Sequence, residues 1–179
     1  NPPRAPEMTM TDDTEHMDLE IDPKDFRSVL GHFPTGVTVV AGVDDDGAHG
    51  LAIGSFFSVS LHPPLVGFCV GTSSKSWAKI SGNGRFSVNV LSEHQAEISN
   101  TFAGSTEDKF AEIDWTPSPS TGSPWIDGAV AHMDCDLEDT FPGGDHSIVV
   151  GRVRALQVHR ADHGPLIFFK GGYGRHVGI

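Results

Sequence analysis

Apolar positions along the chain fall into short runs, most of them alternating. Ala129, Ala131, Met133, Cys135 and Leu137 interleave with His132, Asp134, Asp136 and Glu138. That period of two predicts a strand over 129–139 with one face exposed and His132 among the carboxylates on the solvated side. The Val/Thr-rich run 36–43 predicts a second strand. Asp44-Asp45-Asp46-Gly47 then turns the chain into a hairpin whose returning strand covers 50–56. Residues 57–61 continue extended until His62-Pro63-Pro64 breaks the run. The nearly all-apolar segment 65–70 has the look of a strand covered on both faces. Further strands are expected over 85–91, 146–158 and 166–170.

Helical signals are few and short. Asp22-Pro23 opens a helix through about residue 30, with Phe26, Val29 and Leu30 on one side. Residues 74–81 make one or two helical turns. Ser92-Glu93-His94-Gln95 has the S-x-x-Q form of a capping box for a helix through 103, and Thr106 is expected to cap another short helix with Phe110 facing inward. Three prolines and little periodicity mark 114–128 as loop, and 141–145 as a turn. Strands and helices do not alternate regularly, which argues against a doubly wound parallel sheet. A mainly β fold is expected: a small six- or seven-stranded barrel with a few short helices plugging its ends or seams.

Charge changes the picture at one end only. The net charge is −12, and half of it sits in the first 25 residues, where Glu7, Asp12, Asp13, Glu15, Asp18, Glu20, Asp22 and Asp25 face only Arg4 and Lys24. Residues 1–20 are therefore expected to be a mobile acidic arm and 21–179 a single domain. An acidic body argues against a nucleic-acid partner. The apolar run 65–70 is far too short for a membrane helix, so no membrane association is expected. Cys69 and Cys135 lack metal-ligand spacing and read as buried reduced thiols, which suits the cytoplasm.

Several familiar chemistries are missing. There is no phosphate loop of the form G-x-x-x-x-G-K-[ST] and no G-x-S-x-G elbow. Gly82-Asn83-Gly84-Arg85-Phe86-Ser87 starts like a dinucleotide fingerprint but lacks the third glycine and leads into a strand. Ten histidines are scattered without metal-ligand spacing, so no metal is expected. The informative stretch is 33–77, which sets small hydroxyl residues and glycines between strands: Thr35-Gly36, Gly54-Ser55, Ser58, Ser60 and Thr72-Ser73-Ser74-Lys75-Ser76. Such residues let a backbone approach a flat ring or a phosphate closely. They are also ordinary strand and turn residues, and composition alone leaves both readings open.

The run from Phe33 to Val40, the run Gly50 to Val66, then Gly84-Arg85-Phe86-Ser87-Val88-Asn89-Val90-Leu91, Phe102-Ala103, Asp108-Lys109-Phe110, Gly143-Gly144-Asp145-His146, Gly151-Arg152-Val153, Pro165-Leu166 and Gly172-Tyr173 together resemble the flavin reductase-like family, the short reductase components of two-component monooxygenases. The resemblance runs from about residue 22 to the end. It implies a split-barrel, flavin-binding fold, a homodimer, and reduction of FMN or FAD by hydride from NADH or NADPH, with the reduced flavin diffusing to a separate oxygenase. Carried over by motif, Thr35, Ala52, Ile53, Gly54 and Ser55 would line the isoalloxazine. Ser58, Ser73 and Ser76 would hold the phosphate and ribityl chain, and Arg85 and Phe102 would flank the tail or ring. His146 would stand where the nicotinamide stacks, as the catalytic candidate, and Tyr173 would close that side. Gly54 stands where the family often has Asn, so one hydrogen bond to the ring is missing or comes from backbone. His62 stands where Asp is common. A non-catalytic flavin carrier or sensor on the same barrel is the alternative implied function.

Overall fold

The computed structural model describes residues 20–179. The acidic arm expected over 1–20 lies outside them except for Glu20. The elements in chain order are α1 (Pro23–Leu30), β1 (Thr35–Gly36), β2 (Thr38–Asp44), β3 (Gly47–Ile53), β4 (Phe57–Ser60), β5 (Leu65–Gly71), α2 (Lys75–Gly82), β6 (Arg85–Val90), α3 (Ala96–Ala103), β7 (Trp115–Pro117), β8 (Pro124–Ile126), β9 (Ala131–Gly143), β10 (His146–Val158), β11 (Leu166–Phe169) and β12 (Gly172–Arg175). The main sheet has seven antiparallel strands in the order β3-β2-β6-β9-β10-β5-β4, and β1, β11 and β12 form a small sheet beside it.

The main sheet curls on itself without closing. β3 and β4 are its two edges, yet Leu51 and Ile53 of β3 share an inner core with Val66, Phe68 and Val70 of β5. One side chain stitches the seam between them. The Ser55 hydroxyl accepts from the Cys69 N–H at 2.9 Å and donates to the Cys69 carbonyl at 3.0 Å. The split barrel implied by the family resemblance is thus realised as a curled open sheet.

Inside, Phe68, Trp77 and Phe86 meet edge to face with ring centroids 5.2–5.8 Å apart. Such aromatic contacts are worth about 0.5–1.5 kcal/mol each beyond their burial. Trp77 and Ile80 come from α2, which plugs this core. Outside, Val39 and Ala41 of β2 pack with Phe102 of α3, Phe110 and Leu166. β2 is buried on both faces, which is why its Val/Thr run shows no alternation. Gly50 permits the outer layer: a Cβ there would lie 2.5 Å from the Phe102 ring.

The segment after Thr106 forms turns rather than the expected helix, although Phe110 does face inward and is buried. The expected loop over 114–128 contains the β7–β8 hairpin. The strand expected to end at 139 continues to Gly143, so the turn shrinks to its tip, and β12 was not anticipated. The capping box forms by half: Gln95 Oε1 accepts from the Ser92 N–H at 2.9 Å, but the helix starts one residue past Gln95.

The expected solvated face of β9 is covered over its first half only; Asp136 is half-buried and Glu138 stays exposed. His132 and Asp134 are buried beneath the 115–128 segment. Asp134 accepts from the backbone N–H groups of Ser120 and Thr121 at 2.9 Å each and from the Thr121 hydroxyl. His132 Nε2 donates to the Ile126 carbonyl at 2.9 Å. Burial holds the His132 imidazole below its ordinary pKa. The unfolded chain then takes up the proton more readily, so stability is lost as pH falls below about 6.5 toward the depressed folded value. Urea midpoints measured between pH 7.5 and 5 should fall in the wild type and flatten in His132→Gln; parallel curves would contradict this.

Candidate functional site

The groove forms where β3, α2 and α3 meet on the outer face of the sheet. Along β3, Leu51 and Ile53 point into the inner core, while Gly50 and Ala52 face outward. A cavity of about 870 Å³ opens over Leu51 and Ala52 and is walled by Ser73, Ser74, Lys75, Ser76 and Lys79 on one side and Phe102 to Glu107 with Lys109 on the other. A smaller one of about 160 Å³ shares Ala52 and Ala103 with it and is lined by Thr35, Ile53, Gly54, Ser99, Phe168 and Tyr173. The two make one continuous groove with a polar, cationic end and a narrow, small-residue end.

At the polar end the Ser74 hydroxyl caps α2 by accepting from the Trp77 N–H at 3.2 Å. The remaining amides of that first turn and the Ser73 and Ser76 hydroxyls are donors, and the helix dipole favours negative charge here. Lys75, Lys79 and Lys109 line the same cavity against one acid, Glu107. Lys79 reaches Asp46 only at 3.8 Å. Lys109 Nζ donates to the Phe102 carbonyl at 2.8 Å, and desolvation lowers its pKa from the ordinary lysine value. On a chain of net charge −12 this is a local reversal of sign. At the edge, His49 Nε2 donates to Asp44 Oδ1 at 2.7 Å, and that hydrogen bond holds the Asp44 carboxyl below its usual range.

At the narrow end a Cβ on Gly54 would come within 3.1 Å of Thr35 Oγ1, so glycine keeps the floor flat beside that hydroxyl. The Tyr173 hydroxyl donates to Asn100 Oδ1 at 3.0 Å and lies 2.8 Å from Ser99 Oγ, which pins β12 to α3. Its ring meets Phe168 edge to face at 5.5 Å.

A model of the "Flavin reductase like domain" matches residues 30–176. The chain belongs to the flavin reductase-like family. It is 51% identical over 160 residues to a flavin reductase of Pseudomonas putida, covering 89% of this chain and 93% of the relative. It is 48% identical over 158 residues to the reductase subunit HsaB of a flavin-dependent monooxygenase of Mycobacterium tuberculosis, covering 88% and 84%. Among solved structures it matches the Streptomyces globisporus NADH:FAD oxidoreductase SgcE6 in complex with NAD and FAD fragments. That match has a TM-score of 0.82 and 38% identity, covering 88% of this chain and 96% of the other.

Of the family residues expected at the site, Thr35, Ala52, Ile53, Gly54, Ser73, Ser76, Phe102 and Tyr173 come together along the groove. Ile53 offers backbone, since its side chain is in the inner core, and Phe102 is a buried wall. Ser55 faces the seam instead, its hydroxyl committed to Cys69. Ser58 lies on the edge strand β4, opposite Val66. Arg85 lines a separate cavity with Val43, Asn83, Thr121 and Ser123. His146 starts β10, opposite Gly71 and so two residues from Ser73, with Nδ1 2.7 Å from Asp145 Oδ1. That hydrogen bond lowers the Asp145 pKa. Lys75, Lys79, Ser99 and Phe168 were not picked out as site residues. Lys75 stood inside the hydroxyl-rich stretch, but only the fold shows that Lys79 and Lys109 converge with it.

Proposed function

We propose that this chain reduces FMN or FAD with hydride from NADH or NADPH and supplies the reduced flavin to a separate monooxygenase. The observation that carries the reading is the continuous groove. It is wide and lysine-lined at the α2 N-terminus, and narrow, flat and small-walled at Thr35, Ala52 and Gly54. A flavin presents that same sequence of groups, a phosphate tail followed by a flat ring. Ser73, Ser76, Lys75 and Lys79 would hold the phosphate, each charge-assisted bond contributing about 1.5–3 kcal/mol. Ala52, Gly54 and the Thr35 hydroxyl would take the ring edge, with Tyr173 as the far wall.

The bound flavin supplies the hydride-accepting chemistry, and the protein supplies alignment. Few ionisable groups are needed near the ring, in keeping with a narrow end lined by no carboxylate or lysine. His146 would form a face for the nicotinamide, its ring oriented by Asp145. With His146→Ala, flavin affinity should stay within about twofold, while single-turnover reduction under anaerobic stopped flow slows about tenfold or NADH binding weakens by a similar factor. Unchanged reduction traces would remove His146 from the mechanism.

Residues 21–179 would work as one domain, paired in a homodimer. Phe26, Val29 and Leu30 share one side of α1 and Phe33 follows the helix, each at least half exposed. Phe57, Val59 and Leu61 lie exposed along β4 and just after it. Faces of this kind mark interfaces. Sedimentation should give a dimer that Leu30→Glu with Phe33→Glu converts to monomer; a monomeric wild type would refute the pairing. Cys69 and Cys135 are free thiols, and burial pushes Cys135 up to about 12, in keeping with a reducing cytoplasm. No described helix is long and apolar enough to cross a membrane.

A further inference from the structure

A cavity of about 380 Å³ lies between the 115–128 segment, the start of β9 and the end of β10. It shares no lining residue with the groove. Most of its lining carries rings: Pro117, Pro119, Trp125, His132 and His159. The Trp125 and His132 rings stack, with centroids 5.0 Å apart and planes 13° from parallel, and His159 meets His132 edge to face at 5.7 Å.

Three buried side-chain nitrogens have no hydrogen-bond partner among the described residues. Two of them, Trp125 Nε1 and His132 Nδ1, belong to this stacked pair. His132 is only 3% exposed. Folded chains rarely leave a buried polar atom unpaired, because its lost hydration is then uncompensated. Two such atoms on neighbouring rings beside one cavity point to a polar group that meets both.

The two atoms are opposite in sense. An indole N–H only donates. His132 Nε2 faces the Ile126 carbonyl at 2.9 Å, and a carbonyl only accepts, so Nε2 carries the ring proton. Burial discourages a second proton, which leaves Nδ1 a bare acceptor. A hydroxyl is the simplest group that accepts from the one and donates to the other.

The lining also selects what carries the hydroxyl. Among the described residues no lysine or arginine borders the cavity and Asp127 does, which disfavours an anion. A cation would face the indole N–H, itself a donor. Proline and aromatic walls suit a flat apolar body, and the volume falls within the range of small-molecule sites, about 300–1,000 Å³. Gln157 stands directly opposite His132 across the β9–β10 pair and is exposed, which sets it at the mouth.

We propose that this cavity binds a neutral phenol, its hydroxyl donating to His132 Nδ1 and accepting from Trp125 Nε1–H, its ring against the proline and aromatic walls. The site is separate from the flavin groove and does not depend on the reductase reading.

The test follows the indole N–H resonances of isotope-labelled protein during titration with phenol, and separately with anisole, which accepts a hydrogen bond but cannot donate one. The Trp125 signal is assigned by its loss in Trp125→Phe. Phenol should move that signal downfield and saturate with a Kd of about 1 mM or tighter, leaving the Trp77 and Trp115 signals in place. By calorimetry anisole should bind about tenfold more weakly than phenol, and Trp125→Phe, which keeps a ring, should lose about tenfold in phenol affinity. Gln157→Trp should close the mouth and abolish binding, with circular dichroism melts checking the fold of both variants. Saturating FMN should leave phenol binding unchanged. Equal affinity for phenol and anisole, phenol binding unaltered in both variants, or displacement of phenol by FMN would overturn the site. So would a phenol-soaked crystal that holds only water on the two nitrogens.

Discussion

Ala52→Phe should weaken flavin binding at least a hundredfold while leaving the fold intact. Ala52 is the residue common to the wide and narrow parts of the groove on β3. Its side chain faces outward, away from the inner core of Leu51 and Ile53. A phenyl ring at 52 would divide the groove where a flavin must pass from phosphate to ring. A hundredfold loss corresponds to about 2.8 kcal/mol, less than two charge-assisted bonds, so a single obstruction suffices. Flavin fluorescence titration gives the affinity, and a circular dichroism melt checks the fold. Affinity within threefold of wild type, with an unchanged melt, would place the flavin elsewhere.

Phe68→Ala should be the most destabilising single truncation. Phe68 is fully buried and meets both Trp77 and Phe86 edge to face. Phenylalanine-to-alanine changes in a core cost about 3–5 kcal/mol. For a chain of this size that is roughly a 6–20 °C drop in Tm. The effect should also reach the site. Trp77 anchors α2, whose N-terminus forms the polar end of the groove. Well below the new Tm, flavin affinity should therefore fall as well. A Tm shift under about 2 °C would show that the cavity is refilled and the aromatic cluster is not the keystone proposed.

The strands were legible because alternation and Val/Thr runs are local signals. β2, β5, β6 and β10 lie where the pattern puts them, β10 over the same residues. What failed to show locally was cover supplied from far along the chain. Nothing near His132 or Asp134 announces that the 115–128 segment folds over them, so these two read as solvated when they are buried, while Glu138 on the same face is exposed as expected. Thr106 looked like a cap, but the segment places Phe110 and, partly, Ile113 against the outer core through turns rather than a helix. The site divides the same way. Ala52 and Gly54 are two residues apart and Thr35 lies in the same glycine- and hydroxyl-rich stretch, and small residues there suggested a flat slot. Lys79 and Lys109 sit on different elements, and no spacing rule links them. Arg85 belonged to a matching motif, yet its strand start opens on a different cavity.

The most direct test is NAD(P)H oxidation followed at 340 nm with purified protein, with and without added FMN, FAD or riboflavin. The account predicts oxidation that requires a flavin and saturates with it. A folded sample that binds flavin but oxidises neither NADH nor NADPH with any of the three would contradict it, and would leave a flavin-holding module in place of a reductase.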